Sequence, residues 1–243
     1  MEHNLLILGA SSDLATALIP KIVRDFQMIF AHYHQSPDTL RELQKSVPCH
    51  MELFQADFIS ETETKQLMEK VAESGIQITH ILHCPSARFE NERFRKLSWV
   101  DYSIMLDTQM RSLYYASNYF IPIMAKRQYG KLVTVLSSYT VGTPPAYTSA
   151  YITAKYAQLG FIKSLAAEYA GKSIQINAVS PSIIETKFLR DMPRLVAEQN
   201  SANHPLKRNA TVEDVIPAIE FLLSDQSGFI TGQNLLVSGG SVI

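Results

Sequence analysis

Three polar side chains in the segment 131–155 have types and spacing that suit acid–base chemistry. The β-type run 131–136 predicts a strand that presents Ser138 at its carboxyl end. Tyr151 and Lys155 stand four residues apart at the head of a helical pattern, which places them on one face of a helix. A neighbouring ammonium favours a phenolate and lowers a phenol pKa that is otherwise about 10. We therefore predict acid catalysis by Tyr151 at neutral pH.

The elements that must position these groups alternate along the chain. Apolar runs alternate with helical patterns at roughly 25–30 residues per unit, which is typical of a parallel sheet covered by helices on both faces. The predicted strands are 4–8, 27–33, 51–55, 78–84, 131–136, 173–180 and 234–237, and the predicted helices include 38–46, 61–74, 99–126, 151–170 and 211–223. The segment 183–208 lacks this periodicity and is predicted to be a loop that covers the substrate. We expect a single α/β domain over residues 1–243.

Composition and charge exclude several classes of function. The chain has 243 residues, 46% of them apolar and 19% charged, and its net charge of −1 gives no electrostatic footprint for nucleic acid or an anionic membrane. Cys49 and Cys84 have neither metal-ligand nor disulfide spacing, and the histidines form no ligand pair with a carboxylate. The N-terminus is typical of a first strand and not of a signal peptide, and no apolar run is long enough for a transmembrane helix. We expect a cytoplasmic protein without a metal ion.

The turn after the first strand is a candidate site for a dinucleotide pyrophosphate. Gly9 follows the strand and precedes a helix, whose first N–H groups and dipole attract anions. Of a three-glycine fingerprint only Gly9 remains, because Asp13 and Ala15 stand at the other two places. The candidate phosphate-binding residues are Gly9, Ser11, Ser12, Asp13 and Leu14.

The residues after the second strand indicate which dinucleotide is bound. An acidic residue there favours a free ribose 2′-hydroxyl, and its absence permits a 2′-phosphate. The segment 31–36 has no carboxylate and offers His34 and Ser36, so we favour NADP over NAD, although no Arg or Lys is present to bind the phosphate. The alternative is that His32 and His34, which alternate on the strand, simply face solvent.

These residues together resemble the short-chain dehydrogenase/reductase superfamily over essentially the whole chain. The resemblance rests on 8–15, Asp57, Ser137 with Ser138, Tyr151-x-x-x-Lys155, 176–181, 229–233 and 237–240. A Tyr-x-x-x-Lys pair arises often by chance, but a serine thirteen residues upstream and an Asn-Ala-Val-Ser-Pro segment make the combination specific. The resemblance implies a Rossmann-type doubly wound parallel sheet of seven strands in the order 3-2-1-4-5-6-7, with ligands at the carboxyl ends of the strands.

The resemblance also implies roles for particular residues. Tyr151 would exchange a proton with a carbonyl or alcohol oxygen, and Ser138 would hydrogen-bond the same oxygen. Lys155 would lower the phenol pKa and hold the nicotinamide ribose, and Tyr151 would contact the cofactor as well. The other cofactor residues that it implies are Asp57 at the adenine edge and Pro181, Ile184 and Thr186 at the carboxamide end.

Departures from the family pattern concern the cofactor cradle. Where the family usually has Asn-Asn-Ala-Gly, this chain has His83, Cys84, Pro85 and Ser86. Cys84, Pro85 and Ser86 are therefore candidate cofactor contacts, and the proline requires a different backbone beside the adenine ribose. The family's catalytic helix asparagine, which helps to hold a water that connects the lysine to solvent, falls at Gln109 in this chain. Gln109 either reaches that water by another route or leaves the proton relay impaired.

The leading interpretation is an NAD(P)(H)-dependent oxidoreductase that reduces a carbonyl or oxidises a secondary alcohol, nearest in pattern to bacterial 3-oxoacyl-thioester reductases. The alternative is a catalytically impaired protein of the same fold that has a dinucleotide-binding or regulatory function. Apolar and basic side chains in 188–207 favour a small, partly apolar substrate with an anionic handle. Family members commonly associate through helices that correspond to 99–126 and 151–170, so we expect a homotetramer or homodimer.

Overall fold

A parallel sheet of seven strands forms the centre of the molecule. The computed structural model describes residues 2–88, 91–187 and 194–242, with only the backbone at 194–196. The strands are β1 (Asn4–Leu8), β2 (Met28–Tyr33), β3 (His50–Gln55), β4 (His80–His83), β5 (Gly130–Val135), β6 (Ile174–Pro181) and β7 (Asn234–Val237). Their order is β3-β2-β1-β4-β5-β6-β7, and the neighbouring strands are parallel. The predicted fold class and strand order are confirmed.

Helices cover both faces of this sheet. In the described chain they are α1 (Asp13–Ile22), α2 (Asp38–Ser46), α3 (Glu61–Glu73), α4 (Trp99–Leu106), α5 (Ser112–Arg127), α6 (Ser149–Glu168), α7 (Arg194–Asn203) and α8 (Val212–Leu223). One face packs against α1, α2 and α8, and the other packs against α3, α5 and α6. Within the residues that the structure describes, no helix is both long and apolar enough to cross a membrane.

The first strand shows why the chain folds in this way. Every residue of β1 is buried, as expected for a central strand with helices on both sides. Successive side chains point to opposite faces, so Leu6 joins the core under α3, α5 and α6, whereas Ile7 joins the core under α1 and α8. A continuous apolar run is therefore the correct pattern for this position.

The predicted helix 99–126 is interrupted in the structure. A π-helical turn at Asp107–Arg111 separates α4 from α5 and contains the fully buried Gln109. The side-chain amide of Gln158 on α6 donates a 3.3 Å hydrogen bond to the carbonyl oxygen of Gln109. Such turns insert one extra residue and re-aim the side chains around them. Helical periodicity continues on both sides of the turn, so the sequence carries no signal for it.

The predicted loop at 183–208 contains regular structure where it is described. Ile184 forms an isolated parallel bridge with Ala210, and α7 occupies 194–203. Residues 188–193 lie outside the described residues. Covering of the substrate by this segment stays a prediction.

Candidate active site

The end of β5 and the start of α6 place Tyr151 and Lys155 at the carboxyl edge of the sheet. The Lys155 Nζ lies 5.7 Å from the centre of the Tyr151 ring. It donates a 3.0 Å hydrogen bond to the carbonyl oxygen of Val135, the last residue of β5. Only 2% of Lys155 is exposed, so its ammonium group is almost fully removed from water.

Burial controls the protonation of both groups. Burial raises the pKa of Tyr151 to about 12, against the smaller lowering effect of a hydrogen bond from Ser137, and it lowers the pKa of Lys155 to about 7. Burial therefore determines the net direction for the phenol, and the lowering of its pKa by a charged Lys155 stays a prediction. Its Nζ is directed at the carbonyl of Val135, and the removal of the phenol from water has the larger effect. A phenol with this pKa is protonated at neutral pH and can act as a proton donor.

Two adjacent serines, Ser137 and Ser138, follow β5, and both are buried. The Ser137 hydroxyl hydrogen-bonds the Tyr151 phenol and also accepts the backbone N–H of Tyr139 at 3.3 Å. The Ser138 hydroxyl has no hydrogen-bond partner among the described residues. Sequence reasoning missed Ser137. The signal that could have found it is the Ser-Ser pair at a strand end, since adjacent side chains there point to different sides.

A buried polar cluster lies behind Lys155 and includes His83, which sequence reasoning also did not assign. Its Nε2 is 2.9 Å from the Ser112 hydroxyl, and its Nδ1 is 3.3 Å from the Gln158 side-chain nitrogen. The predicted catalytic residue Gln109 donates its side-chain amide to the sulfur of Met105 at 3.0 Å. Its Oε1 has no partner in the described chain. No hydrogen bond in the structure joins Gln109 to Lys155, so its catalytic role stays a prediction.

The turn after β1 has the features that a phosphate group requires. Gly9 has a φ of +75°, and a Cβ atom there would lie 3.1 Å from the backbone nitrogen of Pro85 and 3.2 Å from the carbonyl carbon of Cys84. Only glycine therefore fits this position without strain. The backbone N–H groups of Asp13 and Leu14, at the start of α1, have no acceptor among the described residues. Free N–H groups at a helix N-terminus suit an anion.

The side chains of the turn are arranged around this helix end. Ser12 caps α1 by accepting the N–H of Ala15 at 3.3 Å, and Ser11 is exposed. The Asp13 carboxylate accepts the backbone N–H of Lys187 at 2.6 Å and lies 3.5 Å from its ammonium. The neighbouring ammonium offsets part of the repulsion that this carboxylate would exert on a bound anion.

The predicted adenine and ribose contacts lie at the ends of β2, β3 and β4. His34 and Asp57 form a partly exposed pair, with 3.7 Å between Nε2 and Oδ2. Ser86 is exposed after β4. Burial raises the pKa of the Cys84 thiol to about 12, while the nearby Lys155 lowers it. The Cys84 thiol is therefore protonated at neutral pH.

The predicted carboxamide contacts follow β6. Pro181 is the last residue of that strand, and Ile184 pairs with Ala210. The Thr186 hydroxyl is 3.4 Å from the carbonyl oxygen of Ile184. These residues stand at the same edge of the sheet as Tyr151, and their contacts with a cofactor stay predictions.

The described residues offer no ligand set for a metal ion. In 2–88, 91–187 and 194–242, no group of three or more His, Cys, Asp and Glu side chains could hold one. What the site offers is a protonated phenol, a buried lysine and N–H donors for an anion.

Comparison with known proteins gives matches along most of the chain. The family described as enoyl-(acyl carrier protein) reductase matches residues 23–241. The 3-oxoacyl-(acyl-carrier-protein) reductase FabG of Thermotoga maritima is 25% identical over 240 residues, which cover 98% of this chain and 97% of that protein. The acetoacetyl-CoA reductase of Allochromatium vinosum is 25% identical over 245 residues, which cover 99% of this chain and 98% of that protein.

A solved structure with the same fold is the 3-oxoacyl-(acyl-carrier protein) reductase with bound NAD from Brucella melitensis. Its TM-score is 0.86 at 22% identity, and the match covers 98% of this chain and 90% of that chain. The strand order and the helical layers of this chain are therefore those of a solved reductase.

We expect the protein to lose stability in acid, because three buried histidines are neutral in the fold. Burial lowers the pKa of His32 to about 4, that of His80 to about 3, and that of His83 well below its usual value. Since these values lie below the unfolded pKa of about 6.5, the unfolded chain binds more protons below that pH. The free energy of unfolding, measured with urea, should fall from pH 6.5 towards pH 4 by about 1.4 kcal/mol per pH unit for each histidine.

The matched control for this prediction is His50, which is exposed on β3. We expect His80→Gln to reduce the slope of stability against pH by about a third and His50→Gln to leave it unchanged. Equal slopes in the wild type and in both variants would show that the neutral form of buried His80 does not contribute to this pH dependence.

Proposed function

We propose that this chain, which belongs to the short-chain dehydrogenase/reductase superfamily and is an oxidoreductase, is a ketoreductase. It would transfer a hydride between a nicotinamide dinucleotide and a carbonyl or secondary alcohol carbon. The observation that carries the proposal is the protonated phenol of Tyr151 beside the buried Lys155, at the same sheet edge as a turn with free N–H donors.

The residues that would hold the cofactor lie along the carboxyl ends of the strands. Gly9 and the free N–H groups of Asp13 and Leu14 would bind the pyrophosphate, and Asp57 would bind the adenine edge. When bound, the nicotinamide supplies or accepts the hydride. The exposed His34 stands where an acidic residue would select NAD, so we favour NADP.

Tyr151 would move the proton. Its raised pKa keeps the phenol protonated at neutral pH, so the hydroxyl can protonate a carbonyl oxygen as negative charge builds on it. In the reverse direction the phenolate would accept the proton of an alcohol. Lys155 uses one of its three N–H bonds on Val135, and the other two would hold ribose hydroxyls. A charged Lys155 would also stabilise the phenolate.

The two serines would have different roles. The Ser138 hydroxyl, which has no partner in the described chain, would donate to the substrate carbonyl oxygen and hold it for protonation. The Ser137 hydroxyl would position Tyr151, because it already hydrogen-bonds the phenol.

The substrate class that fits best is the 3-oxoacyl thioesters. Two of the relatives that match over almost their entire length are named for a 3-oxoacyl-(acyl-carrier-protein) and for acetoacetyl-CoA. The apolar and basic composition of the segment 183–208 suits an acyl chain with an anionic carrier. Oxidation of the corresponding 3-hydroxyacyl compounds is the reverse reaction.

The subunits would associate as a homodimer or homotetramer through α5 and α6. These helices expose Tyr114, Ile123 and Tyr156, which are large apolar side chains that a partner could cover.

The proposal is tested by assaying acetoacetyl-CoA reduction with NADPH and with NADH. We expect turnover by the wild type, faster with NADPH, and a loss of about 10²- to 10⁴-fold in kcat for Tyr151→Phe, because the proton donor is removed. Fluorescence titration should show nearly unchanged NADPH affinity. Tyr156→Phe, a change on an exposed residue of the same helix, is the matched control. Tight dinucleotide binding without turnover of any carbonyl by the wild type would favour the catalytically impaired alternative.

The serine roles predict different effects for two neighbouring substitutions. Ser138→Ala should lower kcat by about 100-fold without moving the pH profile, because a donor to the substrate oxygen is lost. Ser137→Ala should move the basic limb of the reduction profile to higher pH, because the Ser137 hydrogen bond lowers the pKa of Tyr151. A shifted profile in Ser138→Ala together with an unshifted one in Ser137→Ala would reverse the assignment.

A further inference from the structure

His32 is a buried histidine that joins the phosphate turn to the end of β3. Only 3% of the residue is exposed, so the alternative that it faces solvent is wrong. The backbone N–H of Gly9 donates to its Nδ1 at 3.0 Å, and its Nε2 lies 3.0 Å from the carbonyl oxygen of Ala56. The ring stacks on Phe58, with 4.0 Å between ring centres and an angle of 25°.

The two backbone partners determine the protonation state of this ring. Gly9 can only donate through its N–H, so Nδ1 must be unprotonated. The carbonyl of Ala56 can only accept, so Nε2 must carry the proton. The carbonyl oxygen of His32 also accepts the N–H of Ala10 at 2.8 Å. One residue therefore fixes two consecutive N–H groups of the turn.

This contact is made to Gly9, whose position in the turn leaves little free space. Gly9 is the one glycine of the fingerprint that this chain retains, and its backbone is packed against Cys84 and Pro85. At its other end, the His32 ring holds the carbonyl that immediately precedes Asp57. The ring thus connects the candidate pyrophosphate site to the candidate adenine site.

We propose that His32 is a positioning residue for dinucleotide binding, which fixes the Gly9 turn relative to Asp57 through its Nδ1 and Nε2 hydrogen bonds. The inference rests on the proposed function, since it assigns a role in the same cofactor site. His32 would not touch the cofactor. It would act through the orientation of the turn whose free N–H groups receive the phosphates.

The charges around His32 keep this arrangement constant at neutral pH. The titratable groups that face it are His34 just after β2, Asp57 after β3 and His83 on β4. Burial lowers the pKa of His32 to about 4, and the nearby His34 lowers it further, while the Ala56 hydrogen bond and Asp57 raise it. The ring is neutral at physiological pH, so both hydrogen bonds persist there.

Two substitutions separate the two hydrogen bonds. In His32→Asn the side-chain oxygen is as many bonds from Cα as Nδ1, so it can still accept the N–H of Gly9. In His32→Gln the side-chain nitrogen corresponds to Nε2, so it can still donate to Ala56, but the acceptor for Gly9 is lost. Each variant removes the ring and one hydrogen bond. Asn is one methylene smaller than Gln, so a loss of packing alone would weaken His32→Asn more than His32→Gln.

The experiment is a fluorescence titration of the wild type and both variants with NADPH at pH 8, together with urea unfolding. We expect His32→Gln to weaken NADPH binding by about tenfold and His32→Asn to weaken it by less than about threefold, with similar losses of stability. The KM for NADPH should follow the affinity, and kcat at saturation should stay unchanged. Equal weakening in both variants, or weakening that follows stability, would overturn the proposal.

A second measurement needs neither cofactor nor turnover. Nuclear magnetic resonance of the ring nitrogens should show an unprotonated Nδ1 in wild-type His32, and the Gly9 amide should exchange faster in His32→Gln than in His32→Asn. A protonated Nδ1, or equal exchange rates in the two variants, would overturn the inference. A wild type that binds neither NADPH nor NADH would overturn the proposed function, and the exchange rates would still decide whether His32 anchors the turn.

Discussion

The removal of the Lys155 ammonium from water is the constraint on which the candidate site depends. A buried charge is unfavourable unless it is paired and hydrogen-bonded, and here the ammonium has one hydrogen bond in the described chain, to the carbonyl of Val135. Burial therefore lowers its pKa to about 7, so the charged form is much less favoured than it is in water. Any ligand that brings hydroxyl acceptors to this position would stabilise the charged form. Cofactor binding and the charge on Lys155 would then be coupled, and the charge would in turn favour the phenolate of Tyr151.

The rest of the molecule supplies rigid positions for these groups. The parallel sheet brings the ends of β1, β3, β4 and β5 to one edge, where turns and helix starts present polar groups to the same space. Buried neutral histidines connect these ends. His32 joins the turn after β1 to the end of β3, and His83 connects β4 to α6 and to the residue that follows the π-helical turn. The polar groups at this edge of the sheet are therefore positioned by hydrogen bonds that lie inside the core.

Strand order and helix layers could be predicted from the sequence because they follow from apolar runs at regular spacing and from a whole-chain resemblance. The position of Tyr151 relative to Lys155 could be predicted because i and i+4 residues are neighbours on any helix. The raised pKa of Tyr151 could not be predicted from the sequence, because it is caused by burial of the phenol, and burial depends on the tertiary fold. The same holds for the contact of Ser137 with the phenol, the π-helical turn at Gln109 and the buried ring of His32. Each depends on contacts between elements far apart in the sequence.

We propose that this chain transfers a hydride between a nicotinamide and a carbonyl carbon at the site around Tyr151. The most direct measurement follows deuterium from NADPH labelled at either face of nicotinamide C4 during reduction of acetoacetyl-CoA, with mass spectrometry of the product. We expect one of the two labelled cofactors to place one deuterium on the former carbonyl carbon. Product without deuterium from both labelled cofactors, or bound NADPH that is never oxidised by any carbonyl substrate, would contradict it.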